Sequence, residues 1–242
     1  MKQSQHGRAS CVFCLAVLFS VAGCIQHPAE RPDGPYQATG MKIGEVTDTR
    51  AIIWTRLTRR PERIGTEAPM PDFLYRAPGS DKLQEPPPGR FHPHDWVPVV
   101  QYPDGSSIEY IEGAVIGSSG EARVRYRETS ADDWQSTNWE PVDPERDFIR
   151  QFMLTGLAPA TEYELRVEAR PTGSETASSA LDGQFRTAPA PDQVARVVFT
   201  ATTGTEYDDL DAPAGGFRIH QSMMDIGADF FVHTGDIVYY DA

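Results

Sequence analysis

The chain reads LTGLAPATEYELRVEAR at residues 154–170. Apolar and polar residues alternate through its second half, so that Tyr163, Leu165, Val167 and Ala169 share one face. Alternation with a period of two predicts a β-strand that has one buried and one solvated face. Residues 122–127, which read ARVRYR, alternate in the same way and predict a second strand of this kind.

Three further segments are rich in β-branched and aromatic residues and predict strands at residues 51–57, 148–154 and 183–187. Several antiparallel strands separated by turn signals favour a β-sandwich. Residues 154–169 resemble the E-to-F corner and the F strand of a fibronectin type III domain. The resemblance implies that the Tyr163 hydroxyl bonds to upstream backbone while its ring packs in the core. Trp54 likewise resembles the buried tryptophan of the B strand.

We therefore predict a mainly β chain, with a fibronectin type III-like domain at residues 36–187. Residues 59–120 form an insertion within it that is far longer than an ordinary connection between strands. The sequence EPPPG at residues 85–89 predicts an extended, largely irregular loop there. Two histidines and an aspartate in FHPHDW, residues 91–96, allow either a metal site or a surface loop over an active-site mouth.

A second pattern lies at residues 228–241, which read ADFFVHTGDIVYYD. An apolar strand ends there at Gly235 and Asp236, and Tyr239 follows. Upstream, residues 195–201 predict another strand, and apolar residues between the two strands recur at helical spacing. The three elements predict a βαβ unit with parallel strands. Because ligands gather beyond the carboxyl ends of parallel strands, Asp236 and Tyr239 are candidate ligands.

The chemistry of these side chains indicates which ions they would bind. A carboxylate such as that of Asp236 is ionised at neutral pH and can bridge two cations about 3.5 to 4 Å apart. The hydroxyl of Tyr239 binds as a phenolate only beside a strong Lewis acid, and ferric iron suits it. The alternative interpretation is an ordinary turn after a buried strand, with the tyrosines packed against a neighbour.

The segment Gly235-Asp236-x-x-Tyr239 resembles the second metal motif of calcineurin-like metallophosphoesterases, in the branch of purple acid phosphatases and PhoD-like (alkaline phosphatase D) enzymes. The resemblance implies that Asp236 bridges two metals and that Tyr239 binds iron(III). The other metal would be a divalent cation: Ca, Zn, Mn or Fe. It implies metal-dependent hydrolysis of phosphate esters. In this family a module like residues 36–187 precedes the catalytic domain.

The first metal motif departs from the family. Typical members carry Asp-x-His after the first strand and PhoD-like enzymes carry a cysteine, whereas alignment of the strands places Gly204 at the position of that cysteine. Glu206 and Asp208 are the available oxygen donors, and each is either a metal ligand or a solvated loop residue. The sequence therefore leaves open which residue would bind the first metal.

The amino terminus predicts export. A positive start, a short apolar run and the sequence VAGC at residues 21–24 indicate a lipoprotein signal peptide at residues 1–23, with Cys24 as the lipid attachment site and residues 24–35 as a tether. The alternative is an ordinary exported protein. The other cysteines, Cys11 and Cys14, lie in the signal, so no disulfide is expected in the mature protein. The protein is thus predicted to be an exported, membrane-anchored bacterial lipoprotein.

A net charge of −13 argues against a nucleic-acid-binding surface, because such binding depends on cationic contacts with phosphates. After a linker at residues 188–193, residues 194–242 are expected to start a catalytic domain that continues in a larger enzyme, so that this part alone is inactive. The competing hypothesis is a lipid-anchored fibronectin-like binding module with a degenerate, metal-free phosphatase remnant.

Overall fold

The computed structural model describes residues 34–85, 95–205, 211 and 216–236. Short strands dominate, because segments in which apolar and polar residues alternate are repeatedly followed by turn residues. In chain order the elements are β1 (Met41–Gly44), β2 (Arg50–Arg56), β3 (Asp72–Arg76), β4 (Leu83–Gln84), β5 (Val97–Gln101), β6 (Glu121–Glu128), β7 (Gln135–Ser136), β8 (Glu140–Pro141), β9 (Ile149–Thr155), β10 (Glu162–Arg170), β11 (Ser179–Arg186), β12 (Phe199–Thr202), α1 (Arg218–Asp225) and β13 (Phe230–His233).

Two antiparallel sheets form the sandwich. The first has the order β1-β2-β9, and the second has the order β11-β10-β6-β7, with β8 also paired to β6. The two strands predicted from clean alternation, β6 and β10, are neighbours that pair over eight positions, from Tyr163–Glu128 to Arg170–Glu121. The predicted fold class, a fibronectin type III-like sandwich followed by a βαβ unit, is confirmed.

The core lies between the two sheets. β10 and its neighbour β6 contribute inward residues from the second sheet, and β2 contributes inward residues from the first. Burial of each large aliphatic side chain stabilises the fold by roughly 1.5–3 kcal/mol. The buried cluster comprises Ala51, Ile53, Leu57, Ala122, Val124, Val142, Phe152, Leu154, Leu157, Tyr163, Leu165, Val167 and Ala169.

The corner before β10 has the predicted arrangement. The backbone N–H of Ala158 donates to the Tyr163 hydroxyl at 2.8 Å, and the Tyr163 ring is buried and stacks on Phe185. The expectation for Trp54 is wrong. Ala51, Ile53 and Thr55 point inward from β2, so the alternation turns Trp54 to the opposite face, where it is half-buried.

The insertion contains a small antiparallel sheet of order β4-β3-β5, where the sequence predicted an irregular loop. Backbone hydrogen bonds join the two ends of the insertion and form its stem. The N–H of Arg59 donates to the Ile116 carbonyl at 2.9 Å, and Ile64 and Gly113 are bonded at 2.9 Å next to the 3.0 Å bond from Ile64 to Ala114. Ile64 is buried at the base of this stem.

Arg56 joins the stem of the insertion, the end of β2 and the chain before β9. Arg56, at the end of β2, makes a two-pronged contact with the Asp147 carboxylate at 2.7 and 2.8 Å. Its guanidinium also donates to the Val115 carbonyl at 3.0 Å, on the returning side of the stem. Asp147 and Phe148 both have positive φ, which lets the chain before β9 meet the arginine.

The outer face of the second sheet carries a ladder of alternating arginine and tryptophan side chains. Arg123 and Arg170 both lie over the ring of Trp139, at 4.5 and 4.2 Å from its centroid, and Arg125 and Arg127 lie over Trp134. Carboxylates neutralise the ladder; the shortest pairs are Arg123–Glu168 at 2.6 Å, Arg170–Glu121 at 2.7 Å and Arg127–Glu164 at 2.8 Å.

Candidate functional site

The predicted parallel unit is present at the end of the described chain. β12 and β13 pair in parallel from Phe199–Phe230 to Thr202–His233, and α1 lies between them in sequence. β12 starts later than the predicted residue 195, because β13 offers partners only from Asp229 onward: Val198 exchanges two hydrogen bonds with Asp229 and ends the ladder. Because the last pair of the parallel register is Thr202–His233, both strands end at the same edge of the sheet.

Pairing continues past the strands into the two loops. The Thr234 N–H donates to the Thr202 carbonyl at 2.9 Å, and the Gly204 N–H donates to the Gly235 carbonyl at 3.4 Å. The Thr205 N–H then donates to the Asp236 carbonyl at 3.0 Å. The first loop is thus held beside Asp236, at the carboxyl ends of both strands.

The backbone turns sharply at the predicted ligand. Gly235 has φ of 122° and Asp236 has φ of 56°. The left-handed region costs an L-residue roughly 1–2 kcal/mol, and aspartate is among the few residues that visit it routinely. Apart from Gly235 itself and its two chain neighbours, no described residue has an atom within 4 Å of the position that a Gly235 Cβ would take, so glycine is needed there for its backbone freedom.

The other predicted site residues cannot be placed around Asp236. Tyr239, Glu206 and Asp208 lie outside the described residues, as do His92 and His94 of the insertion. Cys24 and the signal peptide lie outside them too. Gly204 is described: its N–H bonds to the Gly235 carbonyl, so it lies level with the Gly-Asp turn, and it offers no side chain there.

His233 was not among the predicted site residues, yet it contacts the turn. Its Nδ1 accepts the Gly235 N–H at 3.3 Å, and its ring meets that of Phe231 edge-on at 6.1 Å. Nε2 is buried and has no hydrogen-bond partner among the described residues. The available signal was the spacing of a histidine two residues before Gly-Asp.

One described donor suits a cation. Asp236 supplies a hard, exposed carboxylate at the turn. Within residues 34–85, 95–205, 211 and 216–236, no group of three or more histidine, cysteine, aspartate or glutamate side chains lies close enough to hold an ion.

A depression of about 410 Å³ lies elsewhere, beside the turn that follows β6 and the corner before β10. It is lined by Thr129, Ser130, Ala160, Thr161, Glu162 and Arg186 and includes none of the predicted ligands. In the part of the chain that is described, no helix has the length and apolar character needed to cross a lipid bilayer.

A scan against models of protein families finds no match, and a search of the curated proteins also finds none. A solved structure of PhoD matches 85% of this chain with a TM-score of 0.50 and 16% identity. The match covers 28% of the PhoD chain, so this protein spans a little over a quarter of it. At this identity the likeness shows the fold alone: that of the corresponding region of PhoD.

Fibronectin type III structures are matched more weakly. The domain of the human collagen alpha-1(XX) chain aligns over 65% of this chain and 85% of its own, with a TM-score of 0.30 and 14% identity. A two-domain segment of chicken tenascin aligns over 61% of this chain and 97% of its own, with a TM-score of 0.24 and 14% identity.

Proposed function

We propose that this chain supplies the N-terminal sandwich and the first βαβ unit of a PhoD-like enzyme that hydrolyses phosphate esters with the help of metal ions. The observation that carries the proposal is the turn at Gly235 and Asp236. A carboxylate stands there at the common carboxyl edge of two parallel strands, in a unit that follows a β-sandwich. The likeness of fold to PhoD supports the same order of domains.

In the proposed site Asp236 holds a pair of cations, with Tyr239 as a second ligand to one of them, iron(III); the other is a divalent cation. Such a pair lowers the pKa of a bound water and neutralises charge on the transferring phosphoryl group. Asp236 contributes a fixed negative charge. The surrounding chain fixes the carboxylate's place, because three successive backbone bonds tie the loops together. Glu206 and Asp208 are candidates for the place that Gly204 cannot fill.

Metal binding tests this directly. Purified protein is titrated with iron(III) and zinc under anaerobic control of redox state, and bound metal is counted by mass spectrometry. We expect a visible absorption band from an iron-bound phenolate, loss of that band in Tyr239→Phe, and at least tenfold weaker binding in Asp236→Asn. Tyr240→Phe is the matched control and keeps the band.

A specific residue favours a second function. Gly204 removes a ligand that PhoD-like enzymes have, which is what a metal-free binding module with a phosphatase remnant would show. If neither metal binds the wild-type chain above the level of Asp236→Asn, this second function replaces the first.

We further propose that the protein is exported and anchored to the membrane through a lipid on Cys24. Metabolic labelling with a fatty acid tests this in the full chain. Label should appear in the wild type and in Cys14→Ser but not in Cys24→Ser. Equal labelling of wild type and Cys24→Ser contradicts the anchor.

A further inference from the structure

His233 is attached to the turn that presents Asp236. The donor in their hydrogen bond is the Gly235 N–H, so Nδ1 must accept and must carry no proton. The neutral ring then carries its proton on Nε2, the atom that is buried without a described partner. The hydrogen bond to the Gly235 N–H therefore selects one tautomer of the ring.

The turn needs support on this side. Gly235 and Asp236 both have positive φ, a conformation that the unfolded chain rarely samples at aspartate. The opposite side is already tied to the neighbouring loop, because the Gly235 carbonyl accepts from the Gly204 N–H at 3.4 Å and from the Thr203 hydroxyl at 3.3 Å. The described contact for the Gly235 N–H is the imidazole of His233.

Packing fixes the direction of the ring. The edge of His233 meets Phe231 at 6.1 Å, and Phe231 meets His220 of α1 at 6.2 Å, both nearly perpendicular. The imidazole is half-buried, while Asp236 is exposed. The histidine is thus anchored in the sheet and holds an exposed acidic turn in place.

We propose that His233 is a positioning residue for Asp236: its Nδ1 holds the Gly235 N–H and so fixes the left-handed turn that aims the carboxylate at the cations. The inference rests on the proposed metal site for its purpose, but not for the hydrogen bond itself. His233 acts through Gly235 and is not itself proposed as a metal ligand.

Three variants separate this role from simple packing. His233→Asn keeps an acceptor close to the position of Nδ1, His233→Gln moves the amide toward the position of Nε2, and His233→Phe keeps a ring without any acceptor. His220→Phe is the matched control, because His220 touches the same Phe231 ring but makes no described contact with the turn. Near-ultraviolet circular dichroism of the sandwich confirms that each variant is folded.

Two readouts are measured on the full chain. The first is hydrogen exchange of the Gly235 amide, followed by NMR in protein labelled with 15N-glycine; we expect exchange at least tenfold faster in the Gln and Phe variants and near wild type in the Asn variant. The second is affinity for Mn²⁺ alone, which should fall by about 10–100-fold in the Gln and Phe variants and by less than about threefold in the Asn variant and in His220→Phe.

The outcomes distinguish the two proposals. If wild-type protein binds no Mn²⁺ and no iron(III), the metal function fails, and the Gly235 exchange rates alone decide whether His233 holds the turn. If Gly235 exchanges equally fast in wild type and in His233→Phe, or if the Asn variant behaves like the Phe variant, the role of His233 is overturned.

Discussion

The hydroxyl of Tyr163 accepts a hydrogen bond from the backbone N–H of Ala158, five residues earlier, at 2.8 Å. The bond closes the corner between β9 and β10 across the two sheets, and the ring of Tyr163 is buried. We expect Tyr163→Phe to lower the free energy of unfolding by about 1–3 kcal/mol, because the Ala158 N–H loses its partner while the packing is retained. Urea unfolding measures this. Tyr126→Phe, on the neighbouring strand, is the control at neutral pH, and an equal loss in both variants would contradict the corner's role.

Arg56 is the second test of stability. Its guanidinium is largely buried, whereas the Asp147 carboxylate is 65% exposed, so water can solvate the aspartate when the arginine is removed. We expect Arg56→Ala to cost roughly 2 kcal/mol, chiefly from the carbonyls of Val115 and Asp147 that lose a donor. Arg146→Ala is the control, since this side chain is 82% exposed, and should change stability by less than about 0.5 kcal/mol. Similar losses in the two variants would mean that the contacts of Arg56 do not stabilise the fold.

The arginine–tryptophan ladder should stabilise the sheet through Trp139. Two arginines, Arg123 and Arg170, lie over this ring, and a cation–π contact at a surface contributes about 0.5–1 kcal/mol. We expect Trp139→Ala to lower the free energy of unfolding by roughly 1–2 kcal/mol. A double-mutant cycle with Arg170→Ala should give a coupling energy near 0.5 kcal/mol or more, and strict additivity of the two changes would show that the contact carries no energy.

The alkaline limit of stability should depend on Tyr126. Burial, and secondarily the neighbouring Tyr163, raises the pKa of the Tyr126 hydroxyl above its ordinary value of 10.0. The unfolded chain therefore ionises first, so the stabilisation is complete below pH 10 and is lost as pH rises through the raised pKa. Tyr126→Phe should show a shallower decline of the unfolding free energy above pH 10. Tyr102→Phe, at an exposed position, should keep the wild-type slope; identical slopes in all three proteins would exclude the effect.

The parallel pair presents an apolar patch. Phe199 and Phe230 stack at 5.4 Å, with rings nearly parallel, and are 58% and 50% exposed within this chain. We expect the dye ANS to bind there and Phe230→Ser to reduce its fluorescence by roughly half. Val194→Ser changes a fully exposed residue outside the sheet and should leave the signal unchanged. Unchanged fluorescence in Phe230→Ser would place the dye elsewhere.

Local pattern predicted those parts of the fold in which each strand has one wet and one buried face. β6 and β10 were found because their side chains sort by face, and the role of Tyr163 came from the resemblance of residues 154–169 to a fibronectin type III corner. Trp54 was assigned to the core by its resemblance to the buried tryptophan of the B strand, but the register of β2 determines its direction. The strands of the insertion are short, and proline-rich sequence between them hid their pairing, which depends on residues far apart in the chain.

The candidate site was only partly accessible from sequence. Asp236 was found from the end of an apolar strand, since that position follows from sheet geometry alone. The attachment of His233 to Gly235 depends on two positive φ angles, which the residue types at 235 and 236 permit but do not require. The conformation of the loop after Thr205, where Glu206 and Asp208 are candidate metal ligands, depends on contacts about which alternation patterns carry no information.

The stem of the insertion has an evolutionary consequence. The bonds between Arg59 and Ile116 and between Ile64 and Gly113 bring the two ends of the insertion together. For the sandwich, the insertion is therefore equivalent to a short connection between two strands. The segment between Ile64 and Gly113 can be lengthened, shortened or replaced with little cost in loop-closure entropy to the sandwich. Natural variants of this architecture should therefore differ most there, and a designer could graft a foreign recognition loop at that point.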